Sequence, residues 1–164
     1  MDLMPWMQQQ GMLPAAGETV LCAVSGGRDS VCLLHYLASL GRRRGFAVAA
    51  AHYNHLMRPT AGRDEAFVAG LCRELGVTLV VTDHHECKEQ LPQCAAVVDP
   101  HRPDRTYPHT MLSGVGIAFK LAAALSGDQD AVARRYCDLI CLGTIADVMT
   151  LQGENRRLVV MGLE

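Results

Sequence analysis

Thr19-Val20-Leu21-Cys22-Ala23-Val24-Ser25-Gly26-Gly27-Arg28-Asp29-Ser30 is the stretch that decides the fold. The run from Thr19 to Val24 reads as a strand buried on both faces, the pattern of a parallel sheet. Ser25-Gly26-Gly27 ends it, and Asp29 and Ser30 are helix starters. Val31, Leu33, Leu34, Leu37, Ala38 and Leu40 then recur at helical spacing as far as Gly41. In a strand, glycine loop and helix of this kind, the first N–H groups of the helix face the loop without acceptors. Glycines let the backbone close around phosphate oxygens, and the helix dipole favours negative charge there. Ser25 and Ser30 would add hydroxyl donors, and Asp29 could hold Mg²⁺ between phosphates. The plainer alternative is a tight turn with Asp29 or Ser30 capping the helix.

Outward from this unit the alternation continues. Phe46 to His52 is a second buried strand, Arg63 to Leu75 an amphipathic helix stopped by Gly76, and Val77 to Thr82 a third strand. Strands alternating with helices of this length predict right-handed crossovers and a parallel, Rossmann-like α/β sheet with flanking helices, its functional edge at the strands' carboxyl ends. The glycine loop and Asp83-His84-His85 both fall on that edge. Four prolines punctuate the next stretch, around a short strand at Ala95 to Val98. Helices are expected from Met111 to Leu125, Ala131 to Val148 and Glu154 to Leu163, which makes the carboxyl-terminal part helical. Tyr136, Ile140, Gly143 and Asp147 share one face of the second of these. A helix C-terminus disfavours a carboxylate, so Asp147 calls for a cation, a metal or a hydrogen-bond donor beside it.

The bulk numbers narrow the class. At 164 residues the chain can build one domain with a real core. Apolar residues are 49% and aromatic residues 5%, so that core is made of Ala, Val, Leu and Met. A formal charge of −2 argues against wholesale electrostatic binding of nucleic acid, and Arg42-Arg43-Arg44 reads as a solvated turn after the first helix. Seven cysteines with no Cys-x-x-Cys pair read as reduced thiols. No apolar run is long enough for a membrane span and no secretory leader stands at the start, so the expected setting is cytoplasmic.

Val24 to Ser30, with Leu33-Leu34-His35, His52-Tyr53-Asn54-His55-Leu56-Met57-Arg58 and Arg63-Asp64-Glu65-Ala66-Phe67-Val68, resembles the PP-loop ATP pyrophosphatases. Within them residues 10–80 are similar to the start of the tRNA(Ile)-lysidine synthetases, which adenylate a tRNA cytidine with ATP and couple lysine to it. The resemblance implies that Ser25, Gly26, Gly27, Asp29 and Ser30 bind the pyrophosphate part of ATP and its Mg²⁺, with Asp29 catalytic and Arg58 a phosphate or substrate contact.

Residues 80–164 resemble the DHH phosphoesterase domain of the RecJ exonucleases, which degrade single-stranded DNA. That likeness rests on Val81-Thr82-Asp83-His84-His85-Glu86-Cys87, Val97-Val98-Asp99-Pro100-His101-Arg102, Gly114-Val115-Gly116-Ile117-Ala118-Phe119-Lys120-Leu121 and Gly143-Thr144-Ile145-Ala146-Asp147-Val148. It implies a Mn²⁺ or Mg²⁺ site at Asp83, His84 and Asp147, with His85 contacting or protonating a phosphate.

The two likenesses meet near residue 80, giving a PP-loop half at 1–80 and a DHH-like half at 81–164 that could share one continuous sheet. The earlier Asp-x-Asp-Gly motif of the DHH family is missing, and its place is taken by the Ser25–Ser30 loop. Topology then allows Asp29, His52, Asn54 or His55 to converge with His84, His85 and Asp147 on a hybrid site. Three functions follow as expectations. They are ATP binding of the synthetase kind with tRNA as a possible partner, a RecJ-like nuclease fragment acting on single-stranded DNA, or a folded but inactive chimera.

Overall fold

A computed structural model describes residues 3–53, 61–87 and 91–164. After α1 (Met4–Gln9) the order is β1 (Thr19–Ala23), α2 (Arg28–Arg44), β2 (Ala47–Tyr53), α3 (Ala61–Leu75), β3 (Thr78–Thr82) and β4 (Ala96–Val98). Three helices follow, α4 (Gly114–Ser126), α5 (Gln129–Ala146) and α6 (Gly153–Leu163). The strands form one parallel sheet in the order β1-β2-β3-β4. The fold is thus the parallel Rossmann-like α/β sheet with a helical carboxyl-terminal part that the periodicity predicts, and the single sheet draws strands from both halves of the chain.

Register decides which face each side chain takes. Cys22 pairs with Ala50 and Ala50 with Leu79, which puts these residues in one row. With Val24 and Val81 they pack against Leu34, Leu37 and Ala38 of α2 and Val68, Leu71 and Cys72 of α3. A second core joins Phe119 and Ala123 of α4 to Val132, Ala133 and Ile140 of α5 and Leu158 of α6. Burying the large aliphatic residues contributes about 1.5–3 kcal/mol each, so these two clusters carry most of the stabilisation. All seven cysteines are unpaired thiols. Among the described residues no helix is long and apolar enough to cross a membrane.

Helix boundaries depart from the periodicity in instructive ways. α2 runs past Gly41 to Arg44 and ends at Gly45, whose φ is 80°. Gly41 is there for a different reason, since a Cβ on it would lie 2.6 Å from the Phe46 carbonyl oxygen. The arginine triplet is therefore the last turn of α2 rather than a turn after it, and Arg42 donates to the Leu75 carbonyl at 3.3 Å. Met111 and Leu112 lie before α4, because Ser113 caps that helix by accepting from the Gly116 N–H. Asp128 likewise caps α5 through the Ala131 N–H, so α5 begins at Gln129.

α5 ends two residues before the predicted Val148. The Val148 N–H reaches the Ile145 carbonyl and the Met149 N–H reaches that of Thr144. This double bond pattern is the Schellman closure, which normally takes glycine at the left-handed position. Here Val148 occupies it, with φ 54°.

Candidate functional site

The glycine loop leaves β1 beside the end of β2. Gly26 adopts φ 86°, a left-handed conformation that favours glycine, and Gly27 is the N-cap of α2 with no side-chain cap of its own. Ser25 and Ser30 brace the loop across its neck, their hydroxyls 3.2 Å apart. Ser30 Oγ donates to the Gly27 carbonyl at 2.9 Å and accepts from the Ser25 N–H at 3.2 Å, while the Gly27 N–H donates to Ser25 Oγ at 3.3 Å. The two hydroxyls thus fix the loop, and the first-turn N–H groups of Arg28, Asp29 and Ser30 are left without intrahelical acceptors.

Asp29 is exposed within that first turn. A carboxylate there stabilises the helix but repels a phosphate, unless a divalent cation lies between them. Backbone donors, a glycine at positive φ and one free-standing carboxylate are a donor set that fits ATP with Mg²⁺. His52, at 3% exposure, supports the loop from beneath, its Nδ1 2.7 Å from the Val24 carbonyl oxygen. Asn54, His55 and Arg58 lie outside the described residues.

The Asp-His-His segment follows β3. Asp83 Oδ1 accepts from the N–H groups of His84 and His85 at 2.7 and 3.1 Å and also faces His85 Nδ1 at 2.7 Å. This side chain shapes its own turn. His84 Nε2 lies 3.6 Å from Asp147 Oδ2, so the structure brings together two residues 63 positions apart. Burial and then the neighbouring His85 ring push the His84 imidazole below its ordinary range, against the opposing pull of Asp147 and Asp83.

Two carboxylates and two imidazoles therefore stand in two pairs. Among the described residues no group of three or more His, Cys, Asp or Glu side chains gathers as metal ligands. The described donors do not fit a two-metal centre, nor do Asp29 and His52 join the His84–Asp147 pair to make a hybrid one.

Several more side chains take part around these two sites. Tyr53 stacks on His84 with ring centroids 6.1 Å apart. Burial, then Asp83 and Asp147, raise its phenol above the ordinary range. Its ring abuts the start of α4, since a Cβ on Gly114 would come within 2.5 Å of Tyr53 Cζ. The buried Ser113 and Thr144 hydroxyls meet at 3.1 Å and tie α4 to α5. Cys87 Sγ donates to Asp99 Oδ2 at 3.1 Å, and burial together with that bond pushes the thiol up to about 12, so it is not a nucleophile at neutral pH. Tyr53 lies inside the His52–Arg58 motif, whose sequence does not reveal these contacts.

Comparison with known proteins finds two family segments that overlap. The PP-loop domain family model matches residues 6–98, and the model of the DHH family, N-terminal domain, matches residues 61–144. The single-stranded-DNA-specific exonuclease RecJ of Bacillus subtilis is 46% identical over 96 residues, 58% of this chain and 12% of that protein. RecJ of Escherichia coli is 37% identical over 103 residues, 56% of this chain and 18% of that protein. The tRNA(Ile)-lysidine synthase of Dehalococcoides mccartyi is 43% identical over 75 residues, 45% of this chain and 16% of that protein. The chain thus spans between 12% and 18% of the length of these relatives.

Proposed function

Because the chain belongs both to the PP-loop domain family and to the DHH family, overlapping at residues 61–98, we propose that it binds ATP with Mg²⁺ at the Ser25–Ser30 loop. One observation carries this reading. The loop is a complete anion cradle, with its neck locked by the Ser25–Ser30 contact and its open N–H groups at the head of a 17-residue helix. Bound ATP would supply an activated phosphoanhydride. The residues present hold and orient it: the backbone of Gly26 to Ser30 takes the phosphates, Asp29 takes the cation, and His52 keeps the end of β1 in place. The finer reading is the synthetase one, in which the bound nucleotide adenylates a tRNA cytidine ahead of lysine transfer.

Thermal unfolding tests it, since a ligand that binds only the native state raises its stability. ATP with Mg²⁺ raises the midpoint of the wild-type chain, and Asp29→Ala removes the rise. An unchanged midpoint would remove the basis for the reading.

The His84–Asp147 contact favours a second reading, a RecJ-like phosphoesterase fragment acting on single-stranded DNA. Asp83, His84 and Asp147 would then supply part of a ligand set for Mn²⁺ or Mg²⁺, and His85 would face the phosphate. Mn²⁺-dependent cleavage of a phosphodiester, lost in Asp147→Ala, would establish it. If neither ATP nor Mn²⁺ is bound, the chain is a folded pairing of two family segments without either activity.

A further inference from the structure

α2 and α3 cover one face of the sheet, and α4 lies over the other without filling it. The gap has a cause in the sequence. Ala23 and Ala51 on the strands face Ala118 and Ala122 on α4, and four methyl groups cannot close the spacing between a helix and a sheet. What remains is a cleft of about 410 Å³ with mostly apolar walls, within the range of small-molecule pockets. Leu121 and Leu125 of α4 line it on one side and Tyr53 on the other, and Ser25 and Ser30 of the glycine loop line it as well. The phosphate loop and the apolar slot are therefore one continuous cavity.

We propose that this cleft takes the nucleoside of a nucleoside triphosphate whose phosphates lie on the loop, so that α4 forms one wall of the nucleotide site. The inference rests on the ATP reading above and goes beyond it. α4 spans residues 114–126, beyond the PP-loop match at 6–98 and inside the DHH match at 61–144, so the site is shared between the two family segments. A purine is flat and largely apolar on its faces, and the small side chains on both walls leave a slot for a flat group. Two of the larger side chains of α4, Phe119 and Ile117, are buried, Phe119 in the core shared with α5 and α6, and neither lines the slot.

The test separates loop from cleft by titration calorimetry with two probes, Mg²⁺-ATP and Mg²⁺-tripolyphosphate. Ala118 is exposed, so Ala118→Trp fills the cleft without entering a core. ATP binding is expected to weaken roughly tenfold while tripolyphosphate binding stays as in the wild type. Leu125→Ala, at a position 65% exposed, leaves folding untouched and is expected to cost ATP a few-fold and tripolyphosphate nothing. Variants that weaken both probes equally, or neither, overturn the shared site and leave the loop reading standing. Failure of the wild type to bind either probe overturns both.

Discussion

Val148 shows how one exposed side chain can close a helix under strain. Its left-handed φ of 54° closes α5 directly after Asp147, and it is 89% exposed, so nothing is gained from burying it. A β-branched residue there costs about 1–2 kcal/mol. Val148→Gly is expected to stabilise the chain by about 1 kcal/mol in urea unfolding. Gly114 is the opposite case, because a Cβ would run into the Tyr53 ring. Gly114→Ala should cost about 1–3 kcal/mol, whereas Gly70→Ala in α3, with nothing within 4 Å of its Cβ, should gain about 0.5–1 kcal/mol. Glu154 gives the pH dependence. Lys120 donates to it at 2.5 Å and Tyr107 donates to its other oxygen. Burial opposes ionisation, but those bonds outweigh it and hold the carboxyl below its ordinary 4.5. A depressed folded value means stability that is fully present above 4.5 and lost as pH falls through the folded value. Urea midpoints measured from pH 7 downward should show that loss in the wild type and less of it in Glu154→Gln. The structural roles of these three residues were not legible in the sequence. Val148 closes a helix without a glycine, Gly114 matters through a contact 61 positions away, and Glu154 is a surface-type residue until Lys120 meets it.

At the scale of elements the sequence was far more explicit. The first three strands and the helices between them follow from period and glycine punctuation, and the fourth from a short apolar run between prolines, since a buried parallel strand and an amphipathic helix have patterns that tertiary context seldom overrides. The errors lie at helix ends. Ser113 and Asp128 are strong N-cap types and could have placed the starts of α4 and α5, but apolar Met111 and Leu112 before the first helix and polar Gln129 and Asp130 opening the second masked them. Ser113 also bonds Thr144, so its loss breaks a cap and a buried link together. Ser113→Ala is expected to cost about 1–3 kcal/mol, more than the cap alone, while Asp128→Ala should cost about 1 kcal/mol. Chemical denaturation of the two variants side by side checks the difference.

For the whole molecule, what matters is how two family segments share one sheet. β1 and β2 bring the anion loop, β3 and β4 bring the Asp-His-His edge, and α4 crosses back over the face that carries both. The loop was legible because its chemistry is local, six residues between a strand and a helix. The metal site implied by the DHH likeness was legible only as candidates. Its candidate ligands come from separate elements, and among the described residues one Asp83 oxygen is engaged in its own turn while His84 and Asp147 pair apart from it. The loop, and not the Asp-His-His edge, is thus the working site we propose. Amide hydrogen exchange with and without Mg²⁺-ATP tests this most directly. Slowed exchange is expected at Gly26 to Val31, with Asp83 to Cys87 unchanged. Unaltered exchange at Gly26 to Val31, or protection confined to Asp83 to Cys87, would contradict it.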